Sequence, residues 1–552
     1  MTMRKTLLAG AAVLALTACG KKEEAVSPQE SADACAASSL GGDFRLDDAS
    51  PLDVDALFAL IPEDVRPTYD TTFFDKKIGA TVITNLQLVE DGDEGALIAR
   101  AEFYGVDLEA FERAKNAENA PADAPFETLF RKIRIFDIQS AGGEDEAERV
   151  TVGAAEIDTL RVRQGGVTDG AEDAENDELA RLLNSFDLAG LYFKNVEVSG
   201  SESGTGAIGF SAEDLCIAGV GGGRFDSIVG AGIEYEVAQT EESRQAMKEL
   251  MGPQGALFLE GPLKLLLAPD KQRTTIKSFA WNGIDFSGLV AYGVKGEKPP
   301  MSATDLMSLG ELSIKDMQTF INGKLAAEAE EGTVTAKQFT WLIPNEVTAV
   351  TKGMVYDFSA YVPETEEAAL DVMRKRGLDN VTGDALAEWK WDSAQGDASF
   401  TYDFQMHDVM DYAMGLSVGG FKIDAIASAI ETDDPTALSE AAVFYSFSVA
   451  LKDEKFLDAA FDIAALQMGG TGDDLRQSVP AMIRLSGAQL GEFNPRVPGY
   501  VEAVAAFVAD GGSLEISARP DEPASLLAIA AASQTAPQTL PDLLNLEVAH
   551  KE

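Results

Sequence analysis

A two-residue alternation of apolar and polar side chains recurs along the first two thirds of the chain and is the feature that most constrains its fold. It is plain in KIRI (132–135) and NVEV (195–198), and similar runs return at 274–288, 311–320 and 332–343. Such alternation gives a strand with one buried and one wet face, as in an antiparallel sheet. Clusters of Gly, Ser, Asp and Glu between the runs are typical of turns. The sequence therefore predicts a long antiparallel series of repeated hairpins over residues 51–355.

Residues 356–552 mix helical and strand patterns. One helix is predicted in TEEAALDVMRKRG, with Thr365 as its N-cap and Gly377 behind its end. Further helices are predicted at 436–442, 457–468, 473–490 and 500–509, against two in the first part, at 108–119 and 240–250. Two strand-like runs flank the segment SAQG (393–396) as in a hairpin, and 511–517 adds one more strand. The predicted fold class is α+β, with a long antiparallel β-rich amino-terminal part of repeated hairpins and a more helical carboxy-terminal part, residues 356–552.

The amino terminus has the pattern of a secretory signal. Arg4 and Lys5 precede the apolar run Leu7–Leu16, which is too short for a membrane-spanning helix of roughly 20 residues. The end of this run, LTAC, resembles the bacterial lipobox, in which cleavage falls before the cysteine. The resemblance implies a signal peptide over residues 1–18 and acyl chains on Cys19, a diacylglycerol thioether and an amide-linked chain such as palmitate, that anchor the protein in a membrane. An ordinary secretory signal with a chance cysteine is the alternative.

The residues behind the cysteine bear on location. Among lipoproteins of diderm bacteria an Asp at this position often marks retention in the inner membrane, so Gly20 implies the outer membrane. The protein would then face the periplasm or be exposed at the cell surface. The following residues are polar and poor in bulky apolar side chains, a composition that cannot form its own core. Residues 19–50 are therefore predicted to be a flexible tether.

The chain is strongly acidic, with 552 residues and a formal net charge of -48. A surface of this sign repels nucleic acid and anionic lipid head groups, so no nucleic-acid partner is expected. General solvation of the surface and specific cation binding both remain open as reasons for the acidity.

Three cysteines occur in the chain. With Cys19 lipidated, Cys35 and Cys216 are left as an even pair in an oxidising compartment. They either form a disulfide that ties the tether to the first β-rich body or stay as two free thiols. No C-x-x-C occurs, so neither a cysteine zinc site nor a thioredoxin-like centre has support.

No catalytic constellation stands out. The only histidines are His407 and His550, one of which any histidine-based triad would have to use, and no G-x-S-x-G nucleophile elbow occurs. A histidine-based zinc site would need more ligands than these two residues supply. His407 lies in a strand-like run and is interpreted as an ordinary strand or surface residue. No catalytic residue is assigned.

Acidic and glycine-rich segments offer no clear site either. The acidic clusters at 91–95, 142–148 and 168–178 lack the EF-hand spacing and are interpreted as hairpin tips. The glycine-rich run 218–235 has Arg224 where a dinucleotide-binding fingerprint needs its third glycine, so turns or bulges are expected there. No metal ligand and no cofactor are assigned.

The lipobox followed by repeated β-hairpins resembles the large class of uncharacterised proteobacterial exported lipoproteins. The hairpin repetition is also similar to the AsmA-like and repeating-β-groove proteins of lipid transport. Those proteins carry no short motif from which residues could be transferred, and a helix usually anchors them where this chain has a lipobox.

Two functions follow as expectations. The first is a non-enzymatic, lipid-anchored cell-envelope protein that binds an apolar ligand or an envelope protein partner in envelope maintenance. The second is a periplasmic hydrolase that uses acidic residues on glycan or peptidoglycan. An apolar groove, formed by the inward faces of strands such as 132–138 and 192–198, would favour the first. A cleft rimmed by carboxylates of raised pKa would favour the second.

Overall fold

The structure is a computed structural model. It describes Leu40 and residues 44–60, 65–90, 93–116, 124–140, 149–163, 175–202, 206–241, 244–245, 249, 265, 269–491 and 494–552. The predicted signal peptide, Cys19, Cys35 and most of the predicted tether lie outside the described residues. So do much of the three acidic clusters and much of the helix predicted at 240–250.

The chain divides into two compact units. The first comprises Met1–Ala246, Arg273–Pro300 and Asp305–Lys315, and the second comprises Met247–Gln272, Met301–Thr304 and Asp316–Glu552. The residues of strand β11 (Gly310–Ile321) are divided between them. The segment boundaries predicted from sequence stay predictions. They separate the signal peptide, the tether, residues 51–355 and residues 356–552.

The first unit is built from long antiparallel strands. They are β1 (Val65–Thr68), β2 (Thr71–Asp75), β3 (Ala80–Glu90), β4 (Asp93–Tyr104), β5 (Phe126–Ser140), β6 (Arg149–Arg163), β7 (Phe186–Glu202), β8 (Gly206–Gly221), β9 (Arg224–Ala238) and β10 (Lys271–Asp285). The helices are α1 (Val54–Phe58), α2 (Leu108–Asn116), α3 (Glu175–Ser185) and α4 (Ser287–Gly293). From β3 to β9 each strand pairs with the next one in sequence, and β1 and β2 both pair with β3.

The alternation predicted from sequence separates the two faces of this sheet. One row across β5–β8 contains Ile133, Ile157, Leu191 and Ile217, and this face packs into hydrophobic clusters. Val196, in the second predicted ligand-facing run, is buried among the apolar side chains of one such cluster. The apolar side of these strands is therefore largely a core.

Residues in the left-handed conformation interrupt the ladders of several of these strands. Asn85, Asp137 and Asn195 have positive φ within β3, β5 and β7, and the ladder skips a residue at the corresponding positions. Asn and Asp tolerate this left-handed conformation better than other non-glycine residues. The pairing register is the same on both sides of each of these residues, so no extra residue is inserted there.

The opposite face carries a buried charge network. The fully buried Glu156 carboxylate accepts hydrogen bonds from Lys132 Nζ and from Arg134 Nε, the latter at 2.8 Å. The Phe44 ring lies 4.7 Å from Lys132 Nζ, close enough for a cation–π contact. These groups fulfil the requirement that buried charges be paired.

A short segment near the amino terminus crosses this polar face. Leu40 packs against Tyr192, Phe44 lies over Lys132, and the Leu46 N–H donates to Ile78 O at 3.0 Å. The contacts of this segment thus extend from β7 to Ile78, which lies just before β3. The segment excludes water from the charge network and so strengthens its ion pairs.

The second unit continues the series of strands. They are β12 (Lys324–Thr340), β13 (Ile343–Tyr356), β14 (Val381–Asp392), β15 (Asp397–Met406), β16 (Met410–Gly419), β17 (Val443–Asp453), β18 (Gly512–Ala518), β19 (Ala524–Ser525) and β20 (Leu546–Lys551). Its helices are α5 (Glu367–Arg376), α6 (Ile423–Thr432), α7 (Thr436–Ala441), α8 (Phe456–Met468), α9 (Gly472–Leu490), α10 (Val497–Asp510), α11 (Leu526–Thr535) and α12 (Leu540–Leu543). Short 3-10 turns occur at Phe358–Tyr361 and Pro537–Thr539.

The predicted fold class is wrong. The twenty strands of the described chain belong to one antiparallel sheet, and they continue to Lys551. Helices are scattered along the whole chain and do not define a more helical carboxy-terminal part. The error arises at strands such as β16, whose Ala, Met and Gly residues have weak strand propensity, so that pairing with neighbouring strands decides their conformation.

Several local predictions are confirmed. Residues 393–396 connect β14 to β15 in a hairpin, and α2 forms as expected. Helix α5 ends at Gly377, whose φ of 70° places it in the left-handed region, although its N-cap is Glu366 and not Thr365. The glycine-rich run turns tightly at Gly222 and Gly223, between β8 and β9. Among the described residues, no helix has the length and apolar character needed to span a membrane.

Candidate functional site

The second unit presents a broad apolar surface on one side of β13–β18. Register places three rows of residues on this side. We call them the central apolar face: Val347, Trp389, Phe400, Leu416 and Phe447; Ala349, Ala387, Tyr402, Met414, Val449 and Ile516; Thr351, Ala385, Phe404, Tyr412, Leu451 and Leu514.

The residues between these positions point to the other side and are mostly polar. Along one such row lie Thr348, Glu388, Thr401, Ser448 and Ser517. The strands thus follow the apolar-in, polar-out alternation of a sheet with one solvated face.

The central apolar face is incompletely buried. Every member is at least partly accessible, and Leu416 is 38% exposed. A packed core buries such side chains almost completely. In β17, by contrast, Phe447, Val449 and Leu451 are all only half-buried. This strand is therefore unlike a core strand, and part of its apolar surface is left uncovered.

Packed helices close both ends of this face. At one end Tyr356, Met406 and Met410 pack against a cluster formed with α5 and α8. At the other end Trp391 and Ala398 pack with Ile423 of α6. The open part of the face is thus bounded along the strand direction.

One lateral edge is also covered. Helix α10 lies over β18 and β20, where the Tyr500 hydroxyl donates to Leu546 O at 2.6 Å. The Phe507 ring lies 6.5 Å from that of His550, edge to face. His550 Nε2 in turn lies 2.7 Å from Gly511 O. These contacts fix α10 as a side wall.

Aromatic rings form the floor near one end. Tyr402 stacks with Phe404 at 6.3 Å between centroids and lies 6.1 Å from Tyr412. Tyr356 stands 6.5 Å from Phe404, and burial is the main cause that raises its pKa. Rings at these separations pack favourably and present flat apolar surface to a ligand.

The size of the face can be worked out from sheet geometry. Five strand spacings of about 4.8 Å separate β13 from β18, which gives a width of about 24 Å. Three rows two residues apart extend about 14 Å along the strands. The floor therefore extends over on the order of 340 Å2, and its side chains are partly accessible within that extent.

A second concavity lies on the polar side of β13–β16, with a volume of about 550 Å3. Two of its carboxylates, Asp392 and Asp397, belong to the hairpin that carries them. Asp392 accepts the N–H groups of the following turn, and Asp397 accepts the Tyr445 hydroxyl at 2.8 Å. This hydrogen bond is the first cause of a raised pKa at Tyr445. Asp392 is thus engaged in the turn and Asp397 in a hydrogen bond to β17, which favours a structural role over acid–base catalysis.

The residues singled out from sequence fall in different places. His407 lies in the turn between β15 and β16, not in a strand, with Nδ1 3.2 Å from Thr382 Oγ1 and Nε2 3.7 Å from Asp384. His407 and Asp384 are about half exposed, at 50% and 48%, and Thr382 is exposed, so the three groups lie at the surface. Within the described residues, no group of three or more His, Cys, Asp or Glu is arranged to hold a metal ion.

Cys216 is disulfide-bonded. It is buried in β8 beside Tyr192, Ala218 and Leu40. Its partner lies outside the described residues, as Cys35 does, so pairing with Cys35 stays a prediction. Lipidation of Cys19 also stays a prediction.

The central apolar face was not predicted from sequence, although a signal existed. Phe400, Tyr402 and Phe404 alternate with polar residues in the run that had been assigned to a hairpin. The same period continues in β17, within a region interpreted as mostly helical. Only the register brings these separate runs into common rows.

Comparison with known proteins adds little about activity. Residues 403–551 match a family model described as "Uncharacterized protein". The matched segment begins within β15 and ends within β20, in the second unit. No curated protein matches the chain.

Proposed function

We propose that this protein is a non-enzymatic, lipid-anchored protein of the cell envelope that binds the acyl part of a lipid on the central apolar face. One observation carries the proposal: apolar side chains, most of them large, dominate three rows across β13–β18, yet these rows remain partly accessible between closed ends. Burying such surface is favourable at roughly 25 cal/mol per Å2, so a ligand that covers it gains affinity from area alone.

The dimensions favour a small apolar ligand over a protein partner. A specific protein interface covers about 800 Å2 on each partner. The floor, on the order of 340 Å2, is smaller than that and is closed along the strand direction. Small-molecule sites, in contrast, are concave and mostly apolar, and they bury most of the ligand.

The location in the envelope has separate support. The lipobox-like end of the signal implies acyl chains on Cys19, and the Gly20 behind it implies the outer membrane. The disulfide at Cys216 fits an oxidising compartment such as the periplasm, because cytosolic thiols are kept reduced. Replacement of Cys19 by Ser tests the anchor: the native protein should partition into detergent, and unchanged partitioning of Cys19→Ser would contradict lipidation.

The ligand proposal is tested with a pair of adjacent substitutions on β16. Met414→Glu places a charge at the centre of the apolar face, whereas Ala413→Glu places the same charge one residue away on the polar side. We expect native mass spectrometry of protein purified from membranes to show a bound lipid in the wild type and in Ala413→Glu. Met414→Glu should lose it and bind a fluorescent fatty acid at least tenfold more weakly.

Circular dichroism and the melting temperature serve as controls for folding. A wild-type protein that carries no lipid and does not bind the fluorescent fatty acid would contradict the proposal. So would equal binding by Met414→Glu and Ala413→Glu. If Met414→Glu unfolds while Ala413→Glu does not, Leu416→Ser at the most exposed position of the face replaces it in the same comparison.

A further inference from the structure

The cavity on the polar side of β13–β16 is lined mainly by groups that form hydrogen bonds. Its volume of about 550 Å3 is within the range of small-molecule sites, about 300–1,000 Å3. The lining combines amide, hydroxyl and charged side chains, among them Asn345, Lys390, Asp397, Ser399 and Ser417. Ser399 and Ser417 are directly opposite each other on β15 and β16, on the side that faces away from the central apolar face. The cavity therefore offers donors and acceptors in a space large enough for a small polar ligand.

A bulge in β17 lies beside this cavity. Ser417 of β16 pairs with Ser446 of β17. The next residue of β16, Val418, pairs with Phe444, so Tyr445 is an extra residue in β17. Bulges re-aim a side chain and are over-represented next to functional sites. The side chain that this bulge re-aims is that of Tyr445.

Tyr445 is directed at the edge of the cavity. A Cβ at Gly419 would lie 2.3 Å from the Tyr445 hydroxyl oxygen, so the side chain crosses the backbone of β16 at that point. The hydroxyl then donates to Oδ1 of Asp397, a lining residue on β15, at 2.8 Å. Because Tyr445 is partly accessible, its ring gives the rim of the cavity a flat apolar surface next to polar groups.

A buried hydroxyl orients one amide of the lining. Thr340 is 2% exposed, and its Oγ1 donates to Asn345 Oδ1 at 3.0 Å and lies 3.0 Å from Ser393 Oγ. The Asn345 oxygen is thus engaged, whereas its Nδ2 group has no partner among the described residues. The hydroxyls of Ser399 and Ser417 also have none within the described part of the chain. These groups are therefore free for a ligand, and the amide is already held in one orientation, which lowers the entropic cost of binding.

The charged groups of the cavity are largely compensated within the protein. Register places Glu346 between Lys337 on β12 and Lys390 on β14. Asp392 Oδ1 accepts two N–H groups of the following turn, and Asp397 Oδ1 accepts a hydroxyl from β17. Among the described residues of the lining, Lys390 is the one cation. A phosphate or another anion would therefore meet more carboxylates than cations.

We propose that this cavity binds a neutral sugar, with the Tyr445 ring as the surface on which the sugar ring lies. Asn345, Ser399 and Ser417 form hydrogen bonds with its hydroxyl groups. A sugar hydroxyl both donates and accepts, so it matches a lining in which donors and acceptors are mixed. An acyl chain would leave these polar groups without partners. The inference goes beyond the proposed lipid site, which lies on the opposite side of the same strands and does not depend on it.

The experiment uses the full chain, purified from membranes in a detergent that contains no sugar. Saturation-transfer difference NMR is recorded in titrations with two neutral disaccharides, maltose and N,N′-diacetylchitobiose, and with spermidine as a cationic probe. We expect at least one disaccharide to bind saturably. Ser399→Leu fills part of the cavity and removes a hydroxyl, so it should raise the Kd of that disaccharide at least tenfold.

Thr401→Leu is the matched control. Thr401 lies two residues from Ser399 on the same side of β15 but outside the lining, so this change should leave the Kd unchanged. Asn345→Asp keeps the oxygen that accepts from Thr340 and replaces the Nδ2 donor, and it should raise the Kd at least tenfold. Tyr445→Ala should weaken binding, whereas Tyr445→Phe keeps the ring and should retain it.

Circular dichroism and binding of the fluorescent fatty acid serve as controls. Fatty-acid binding should be the same in the wild type and in Ser399→Leu, because Ser399 faces away from the central apolar face, and its loss in the wild type would contradict the proposed function alone. A folded wild type that binds neither disaccharide overturns the sugar site. So does a Kd that is equal in the wild type, Ser399→Leu and Asn345→Asp. Binding of spermidine that Ser399→Leu abolishes, without binding of a disaccharide, would assign the cavity to a cation and also overturn the proposal.

Discussion

The buried network of the first unit makes a strong prediction about stability. In Glu156→Gln, the carboxylate between Lys132 and Arg134 is replaced by a neutral amide of the same shape. Both cationic side chains are almost completely buried, at 5% and 8% exposure. Removing one partner from a buried ion pair costs about 3–5 kcal/mol, because the remaining charge stays desolvated.

A second contact of Lys132 reduces the expected loss in the free energy of unfolding. Lys132 also lies 3.5 Å from Asp158, which partly compensates its charge after the substitution. We therefore expect a loss near the lower end, about 3 kcal/mol. For a unit of this size, 1 kcal/mol shifts Tm by about 2–4 °C, so the Tm should fall by about 6–12 °C.

Hydrogen exchange gives the decisive assay, since it reports the two units separately. In Glu156→Gln, the amides of β5–β7 should exchange faster by about two orders of magnitude, which corresponds to about 3 kcal/mol. The amides of β13–β16 should be unchanged. Glu502→Gln, which breaks an exposed pair with Arg484, is the control and should leave exchange in both units as in the wild type.

A compensated variant separates charge from packing. Lys132→Met/Arg134→Met/Glu156→Leu removes the network completely, and apolar replacements of a buried ion group are often neutral or stabilising. We expect this variant to regain most of the wild-type stability. The reasoning would be refuted by a Glu156→Gln protein as stable as the wild type, or by a triple variant as unstable as Glu156→Gln.

Three further predictions concern individual groups. Burial is the main cause that raises the pKa of Tyr192 to about 12 from its usual 10. The folded state therefore keeps a proton that the unfolded chain releases, so this contribution to stability should be complete below about pH 10 and fall as the pH rises toward 12. Urea unfolding at about pH 8 and at about pH 11 should show a smaller loss of stability in Tyr192→Phe than in the wild type. An equal loss in the two proteins would contradict this cause. Gly310 has a φ of +60°, and a Cβ there would lie 1.8 Å from Asn282 O. Gly310→Ala should therefore lower the free energy of unfolding by more than about 1 kcal/mol in thermal unfolding. An unchanged Tm would contradict this prediction. Peptide mapping of the non-reduced protein should recover Cys216 linked to Cys35, and recovery of Cys216 on any other peptide would show that the predicted pairing is wrong.

The alternation of the sequence predicted strands well because it reflects a local constraint. A residue such as Ile133 or Val196 must face one side of a strand, whatever the strand pairs with. Turn residues are equally local, and so the hairpin at 393–396 and the left-handed Gly377 are confirmed. Helix ends were less accurate by a residue or two, as the N-cap of α5 shows, because capping depends on small differences in local hydrogen bonding.

The site could not be predicted in the same way. Whether an apolar strand face becomes a core or an accessible surface depends on what packs against it, which is a property of the whole unit. Val196 and Val449 lie in similar alternating runs, yet Val196 is buried in a cluster and Val449 is partly accessible. The sequence predicted an apolar groove at 132–138 and 192–198, whereas the face that we propose as a ligand site is formed by β13–β18. The charge network was also missed, since Lys132 and Glu156 are ordinary polar positions until register makes them neighbours.

Pairing of each strand with its neighbour in sequence also determines how such a chain can fold. From β3 to β9, and again from β12 to β17, each new strand adds to an edge already formed by the strand before it. Each step closes a connection that is either a tight turn or a segment with a helix of its own, so paired strands stay near each other in sequence, which limits contact order for an all-antiparallel sheet. A chain that crosses a membrane amino terminus first could therefore build its sheet strand by strand as it emerges, with one growing edge exposed at a time.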